Sequence, residues 1–299
     1  MAMKVVMLGQ SAAGKTTYVS LMYALMMHGG AGFTIRAKHP LDHERLIRTA
    51  EAVLTGAYPS PSDQRSVFEF VLQHEGSDVF EFQWRDYRGG TLTERTDSPQ
   101  AAEMHRDLRD ADGIMILCDS VKLLTSPAVG REVRTLVNHV QRAISERHDV
   151  ATPLVIAATK ADLVDIEDEK VCDRLAEPFL PLIEAVASSR HVIGTFVPVA
   201  CGPEQFNVHI PVLWMLRFGI IGRAQQLERT IQSHIDQMQR HQNNDTLGDR
   251  FGAWWNGYTP QWQLAERSRN SAAAELARYE PLIAPADQLG EILQDVPGF

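Results

Sequence analysis

The sequence predicts an α/β protein in three layers, with a mostly parallel six-stranded sheet, one antiparallel edge strand and a C-terminal helical hairpin. Two observations support this fold class. Apolar runs such as Ile114–Leu117 and Leu154–Ala157 are typical of strands that are buried on both faces of a parallel sheet. Long helical patterns lie between such runs, which indicates strand–helix–strand units with right-handed crossovers.

The elements of this fold follow one another along the chain. The segments with a strand pattern are Lys4–Gly9, Val67–Gln73, Val79–Asp86, Gly113–Asp119, Leu154–Thr159 and Phe196–Cys201. The second and third alternate apolar and polar residues on either side of a short turn, so we expect a hairpin with one antiparallel strand at the sheet edge. Helices are predicted at Lys15–His28, Asp42–Leu54, Pro99–Arg109, Pro127–Glu146, Glu169–Ser188 and His209–His241.

Composition and charge restrict the class of protein. The 299 residues are 44% hydrophobic and 22% charged, which excludes wholesale disorder and collagen-like repeats. A net charge of −9 argues against nucleic-acid binding through a basic face. Three scattered cysteines exclude a disulfide framework and favour a reducing cytoplasm. Because no secretory signal and no apolar stretch of about 20 residues is present, we expect a soluble cytoplasmic protein without a transmembrane segment.

The strongest motif is Gly9-Gln10-Ser11-Ala12-Ala13-Gly14-Lys15-Thr16, which follows the first strand and opens the first helix. This is the GxxxxGK[ST] pattern in its strand–loop–helix context. Consecutive backbone N–H groups can surround phosphate oxygens there, and the positive end of the helix dipole adds to the attraction. Lys15 can reach the β- and γ-phosphates, and the Thr16 hydroxyl can bind Mg²⁺. The motif therefore predicts a nucleotide-binding site.

A second motif indicates which base is bound. Thr159-Lys160-Ala161-Asp162 follows a buried strand, and the Asp162 carboxylate can accept two hydrogen bonds from the ring N–H and exocyclic amine of guanine. With this motif the chain resembles the Ras-like P-loop GTPases, whose base-reading motif is [NT]KxD. The resemblance spans about residues 3–222 and implies a P-loop NTPase fold that binds GTP or GDP with Mg²⁺.

The resemblance also assigns residues outside these two motifs. Asp86-Tyr87-Arg88-Gly89 matches the family's DxxG, which implies that Asp86 holds Mg²⁺ and that the Gly89 N–H contacts the γ-phosphate. Ala200 and Cys201 stand where the family has a short SAK-like motif, which assigns the Cys201 N–H to guanine O6; Cys201 equally fits a buried small residue. The implied nucleotide-binding residues are Gly9, Ser11, Ala12, Ala13, Gly14, Lys15, Thr16, Thr17, Ser62, Thr159, Lys160, Asp162, Ala200 and Cys201.

Two departures from the family bear on hydrolysis. Gly90 follows DxxG where many members have a Gln that orients the attacking water, and Ser11 replaces a glycine of the phosphate loop. Arg88 either neutralises transition-state charge from within the chain or is an exposed loop arginine. The predicted catalytic residues are Lys15, Thr16, Asp86, Arg88 and Gly89.

The residue that closes over Mg²⁺ is not fixed by the sequence. Ser62 is preferred because it lies just before the second predicted strand, and Ser60 and Thr34 are the alternatives. The predicted metal ligands are therefore Thr16, Asp86 and Ser62.

The leading hypothesis is a GTP-binding molecular switch with slow, Mg²⁺-dependent hydrolysis of GTP to GDP. A nucleotide-binding scaffold with negligible hydrolysis is the first alternative, because Gly90 and Ser11 weaken the case for catalysis. An ATP-using P-loop enzyme is the second, against which the Thr159–Asp162 motif argues.

A division into two domains is predicted, with the nucleotide-binding domain at residues 1–222 and a helical extension at residues 223–299. Two apolar stripes with three–four spacing in the extension suggest an antiparallel helical hairpin. Trp254, Trp255 and Tyr258 lie in the segment that connects them. They form either a small satellite core or a surface that docks a protein effector or regulator, since Trp and Tyr dominate binding hot spots.

Overall fold

The protein folds around one eight-stranded sheet with helices on both faces, which confirms the predicted α/β class. The computed structural model describes residues 2–30, 32–60, 65–87, 99–146, 152–189, 191–243 and 261–299. The strands are β1 Met3–Gly9, β2 Phe33–Ala37, β3 Ser66–His74, β4 Ser77–Asp86, β5 Gly113–Asp119, β6 Thr152–Thr159, β7 Val192–Cys201 and β8 Gln205–Phe206. The helices are α1 Lys15–His28, α2 Pro40–Leu54, α3 Pro99–Arg109, α4 Ser120–Thr125, α5 Pro127–Ser145, α6 Glu169–Ala176, α7 Leu180–Ala187, α8 Ile210–Asn243 and α9 Gln261–Ile292.

The sheet has the strand order β2-β3-β4-β1-β5-β6-β7-β8. Strands β4, β1, β5, β6 and β7 are parallel to their neighbours in this series, so the sheet is mostly parallel as predicted. The predicted β3–β4 hairpin is present. Two strands were not among the six predicted: β2 pairs antiparallel with β3, and the two-residue β8 pairs antiparallel with β7. The antiparallel strand β3 therefore lies inside the sheet, and β2 and β8 form its edges.

The strands bury side chains on both faces, which produces the three layers. Val6 of β1 packs in one apolar cluster with Leu108 of α3. On the opposite face, Trp84 of β4 donates a hydrogen bond from Nε1 to the Met7 sulfur at 3.4 Å, and its ring lies 6.2 Å from that of Tyr18 in α1. Because neighbouring residues of one strand point to opposite faces, helices must cover both sides of the sheet.

The helix predicted at Glu169–Ser188 is interrupted. It consists of α6, a 3-10 turn at Glu177–Phe179, and α7. Pro178 lies in the 3-10 turn and Pro181 in the first turn of α7. Each proline lacks the backbone N–H that a continuous helix would use, so the chain restarts the helix at both positions.

The chain divides into two compact units. One comprises Met1–Gly219 together with Gln288–Phe299, and the other comprises Ile220–Asp287. The returning segment joins the sheet of the first unit, because the Gly194 N–H donates to the Phe299 carbonyl at 3.0 Å and the Phe299 N–H donates to the Gly194 carbonyl at 2.8 Å. The domain boundary at residue 222 stays a prediction.

Two long helices, α8 and α9, form the C-terminal part of the chain, in agreement with the predicted helical character. None of the helices that the structure describes is both long enough and apolar enough to cross a bilayer. Trp254, Trp255 and Tyr258 lie outside the described residues, so their predicted docking role stays a prediction.

Candidate functional site

The phosphate loop connects β1 to α1, as the motif requires. Gly9 ends β1 beside β5, where an added Cβ would lie 2.4 Å from the Leu117 carbonyl oxygen, so no larger residue fits. Gly14 is in the left-handed region with φ 83°, directly before α1 begins at Lys15. A glycine adopts that conformation without steric cost, which explains its position at the turn into the helix.

Lys15 is buried and its ammonium group closes the loop. Its Nζ donates to the carbonyl oxygen of Gly9 at 2.9 Å and to that of Gln10 at 3.2 Å. Burial lowers the Lys15 pKa, and the negative charge of Asp86 opposes this shift. The ammonium group is therefore held by backbone carbonyl oxygens of the phosphate loop, and it is close enough to Asp86 to feel its charge.

Asp86 is a buried carboxylate at the end of β4, which lies next to β1 in the sheet. Burial raises its pKa to about 6, and the positive charges of Lys15 and Arg45 oppose this shift. Its Oδ1 atom has no hydrogen-bond partner among the described residues. A buried carboxylate oxygen without a donor is costly, so this geometry favours a cation beside Asp86.

The base-reading motif lies at the end of β6, next to the phosphate loop. The Thr159 hydroxyl lies 2.9 Å from the Ala13 carbonyl oxygen and 3.0 Å from the Cys118 carbonyl oxygen, so one proton is shared between two acceptors. Lys160 is left-handed with φ 57°, and its ammonium group pairs with the buried Asp119 carboxylate. The side chain of Thr159 thus ties the two motifs together.

Asp162 and Cys201 form the far end of the site. Asp162 is exposed on the 3-10 turn Ala161–Leu163 that follows β6. Cys201 ends β7, and burial together with the nearby negative charge of Asp162 raises the pKa of its thiol to about 12. The thiol is therefore neutral at physiological pH. The exposed Asp162 carboxylate lines the cavity, where its oxygens can accept hydrogen bonds from a ligand.

One cavity of about 400 Å³ brings these groups together. The predicted residues on its wall are Ser11, Ala12, Ala13, Gly14, Lys15, Thr16, Thr17, Ser60, Asp86, Thr159, Lys160, Asp162 and Cys201. Gly9 and Ala200 lie just outside the wall, in the ends of β1 and β7. The phosphate loop and the base-reading motif thus line the same cavity.

The structure distinguishes two of the three candidates for the residue that would cover Mg²⁺. Ser60 lines the cavity, whereas Thr34 lies in the edge strand β2 and donates to the Gln73 side-chain oxygen at 3.2 Å. Thr34 is therefore used in strand pairing, away from the cavity wall. Ser62, Arg88, Gly89 and Gly90 lie outside the described residues.

Several residues on the wall were not predicted from the sequence. Tyr58 is 59% exposed and lines the cavity beside Pro59. Its hydroxyl lies 3.5 Å from the position that a Cβ of Gly202 would occupy, and the Asp162 Oδ2 lies 3.9 Å from the same point. Tyr58 and Asp162 therefore approach the same end of the site, where Gly202 leaves room for both. The only local signal was an aromatic residue in a polar, proline-containing loop.

Comparisons with known proteins find solved structures of low sequence identity and one matching family model. The signal recognition particle receptor SRb-GTP/SRX complex from Chaetomium thermophilum is 14% identical in sequence, and the match covers 72% of this chain and 97% of that chain with a TM-score of 0.43. The Arl6 BBS3 small GTPase from Trypanosoma brucei is 15% identical, and the match covers 72% of this chain and 96% of that chain with a TM-score of 0.43. A search of curated proteins finds no match at a significant level.

A family model provides the assignment. The model described as Double-GTPase 2 matches residues 4–204. This stretch contains β1 from its second residue onward, β2 to β7 and every wall residue described above. Because the match covers more than half of the chain, this protein is a member of the Double-GTPase 2 family, and this membership supports GTP binding.

Proposed function

We propose that this protein is a GTP-binding molecular switch that hydrolyses GTP to GDP slowly and with Mg²⁺. One observation carries the proposal: a single cavity is lined by Lys15, Asp86 and Asp162, which are the groups suited to the phosphates, the metal and the base. A site for a nucleotide needs all three in one continuous wall, because phosphate and base are parts of one ligand.

Lys15 and the loop backbone bind the phosphates in this proposal. The Lys15 ammonium is already fixed by the Gly9 and Gln10 carbonyl oxygens, so little side-chain entropy is lost when phosphate oxygens approach it. The N-terminus of α1 begins at Lys15 and adds unpaired N–H groups with positive dipole character. Both contributions stabilise negative charge on the β- and γ-phosphates.

The phosphate end fits Mg²⁺, because Thr16 and Asp86 offer hard oxygen donors on the same wall and the buried Oδ1 of Asp86 has no hydrogen-bond partner among the described residues. Thr16 and Asp86 would hold the ion, with Ser62 or Ser60 as a further ligand. When bound, Mg²⁺ neutralises charge on the β- and γ-phosphate oxygens. In its absence Asp86 binds a proton more readily than an exposed carboxyl group does, since burial raises its pKa to about 6.

Asp162 and Lys160 select guanine in this proposal. The exposed Asp162 carboxylate accepts hydrogen bonds from the ring N–H and the exocyclic amine, which adenine cannot supply in that arrangement. Lys160 is held against Asp119, so its aliphatic stem is oriented and available to lie over the base. The Cys201 backbone N–H at the end of β7 is our candidate donor to guanine O6.

Hydrolysis transfers the γ-phosphoryl group to water: a bond forms between the water oxygen and phosphorus, the bond to the bridging oxygen breaks, and a proton is released. Catalysis of this reaction is mainly positioning and charge neutralisation. Lys15 and Arg88 are the cations that we propose for this role. Because Gly90 has no side chain to orient the water, we expect the rate to be slow, and release of Gly89 on loss of the γ-phosphate is the proposed switch.

A fluorescent GDP analogue and single-turnover hydrolysis test this function. We expect Lys15→Ala to weaken binding by about 100-fold or more, because charge-assisted hydrogen bonds contribute about 1.5–3 kcal/mol each. Lys170→Ala on the exposed side of α6 is the matched control and should bind like the wild type. A hydrolysis rate equal to that of free GTP would favour the scaffold alternative. Displacement of GDP by ATP at equal concentration would favour the ATP-using alternative.

A further inference from the structure

Asp107 of α3 is the centre of a polar cluster behind the end of β4. Its Oδ2 accepts hydrogen bonds from the Tyr87 hydroxyl at 2.5 Å and from Arg65 Nη2 at 2.7 Å. Its Oδ1 pairs with Arg85 Nη1 at 2.6 Å. Both carboxylate oxygens are thus used, by one phenol and two guanidinium groups.

Arg65 closes this cluster from the side of β3. Besides Asp107, it pairs with Glu103, which lies one helical turn earlier on the same face of α3. Its guanidinium carbon lies 5.1 Å from the centre of the Tyr87 ring, within the range of a cation–π contact. Tyr87 is therefore held from two directions: its hydroxyl by Asp107 and its ring by Arg65.

The centre of the cluster is largely shielded from water. The side chain of Asp107 is 13% exposed and that of Arg85 is 17% exposed. Burial alone would raise the Asp107 pKa, but hydrogen bonds from Tyr87 and Arg85 and the charge of Arg65 outweigh it, so the pKa lies below its usual value. Loss of the carboxylate charge would leave two guanidinium groups and a buried phenol without their common acceptor.

The position of the cluster in the chain gives it a role. Arg85 and Tyr87 are the two sequence neighbours of Asp86, and both are bound to Asp107. Alternation along β4 directs Arg85 to the face opposite Asp86, whereas Tyr87, directly after the strand, lines the cavity beside Asp86. Asp107 therefore fixes the backbone on both sides of the cavity's carboxylate.

We propose that Asp107 is a positioning residue for the metal–nucleotide site, which holds Asp86 in place through Arg85 and Tyr87. This inference rests on the proposed function, because it assumes that Asp86 holds Mg²⁺ next to the nucleotide. Asp107 itself does not line the cavity. It acts through its partners, as the outer-shell groups that orient ligands in metal sites do.

The test is the release rate of a fluorescent GDP analogue from the full chain, measured with millimolar Mg²⁺ and with excess EDTA. We expect Asp107→Asn to release the nucleotide about 10-fold faster in Mg²⁺ and at the wild-type rate in EDTA. The Mg²⁺ concentration that gives half-maximal retention should rise by a similar factor. Asp110→Asn is the matched control, since Asp110 is an exposed aspartate directly after α3.

A second variant covers the case in which Asp107→Asn does not fold. Tyr87→Phe keeps the aromatic ring on the cavity wall, removes one donor to Asp107 and leaves the Arg85 pair, so we expect faster release in Mg²⁺ by a smaller factor, again without an effect in EDTA. Combined with Asp107→Asn it should add little, because both changes break the same link.

Two results overturn the inference alone. These are unchanged release in Mg²⁺ for the folded variants, and acceleration by the same factor in Mg²⁺ and in EDTA, which indicates a general loss of structure. If the wild-type protein itself releases nucleotide at the same rate with and without Mg²⁺, the proposed function fails, and the assignment of Asp107 fails with it.

Discussion

Replacing Thr159 with valine tests the link between the two nucleotide motifs. The side chain is 1% exposed, and its hydroxyl lies 2.9 Å and 3.0 Å from the carbonyl oxygens of Ala13 and Cys118. Valine keeps the branched shape but removes the only proton that the two buried acceptors share. A buried polar group that loses its partner costs about 1–3 kcal/mol, so we expect the free energy of unfolding to fall by that amount.

The same substitution should also affect nucleotide affinity. Ala13 belongs to the phosphate loop, whereas Lys160 and Asp162 follow Thr159 in the base-reading motif. The Thr159 hydroxyl therefore fixes the position of one motif relative to the other on the cavity wall. If half of the lost stabilisation, about 0.5–1.5 kcal/mol, appears as poorer preorganisation, the affinity for GDP falls by about 2- to 13-fold.

Thr159→Ser is the matched control because it keeps the hydroxyl and removes the methyl group. Urea unfolding of the nucleotide-free protein and titration with a fluorescent GDP analogue measure both effects. We expect Thr159→Ser to lose some stability through its missing methyl group but to bind GDP like the wild type. If Thr159→Val binds GDP as tightly as Thr159→Ser does, the hydroxyl does not organise the site and the reasoning is wrong.

Three further predictions concern other parts of the molecule. Asp162→Asn should shift preference from guanine towards xanthine nucleotides, because one acceptor becomes a donor; xanthine nucleotides that bind the variant no better than the wild type would show that Asp162 does not contact the base. His105 and His139 have ring centres 4.7 Å apart, and burial first, then neighbouring positive charges, lowers the pKa of each below 6.5. The folded state therefore binds protons at these two histidines less readily than the unfolded state does. Their contribution to the free energy of unfolding is fully present above pH 6.5 and is lost as the pH falls through the lowered folded pKa values. Urea unfolding between pH 8 and pH 5 should therefore show a weaker pH dependence for His139→Gln, and an unchanged slope would contradict this. An added Cβ at Gly194 would lie 2.2 Å from the Phe299 ring, so Gly194→Ala should cost about 1–3 kcal/mol. In Phe299→Ala the same change should cost clearly less, whereas additive costs in the double variant would rule out the clash.

The parts of the fold and the site that depend on local chemistry were predictable from the sequence. A phosphate loop is a short segment in which the glycines allow the tight turn and the helix begins directly after it. The motif therefore predicts both the turn at Gly14 and the helix at Lys15. The buried strands β5 and β6 are apolar throughout, and this pattern appears without knowledge of their neighbours.

Features that depend on distant parts of the chain were not predictable. Strand β2 has only five residues, and although Phe33-Thr34-Ile35 has the pattern of a strand or of core residues, its antiparallel pairing with β3 depends on residues far along the chain. Tyr58 lines the cavity close to Gly202, which is far away in the sequence, and no residue next to Tyr58 indicates this contact. On α3, Asp107 looks like a member of an ordinary solvated face until Arg85 and Tyr87 are placed against it.

The chain's return to the first unit determines how the helical part could be removed. Residues Ile220–Asp287 leave the sheet unit, and Gln288–Phe299 come back to it, where Phe299 pairs with Gly194 of β7. The second unit is thus an insertion in the sequence of the first unit rather than a C-terminal tail. Truncation after residue 222 would remove this pairing from β7, whereas a flexible linker that joins residue 219 to residue 288 would preserve it, at an entropic cost of loop closure that grows slowly with linker length. A minimal nucleotide-binding protein would therefore be obtained by excision and rejoining rather than by shortening.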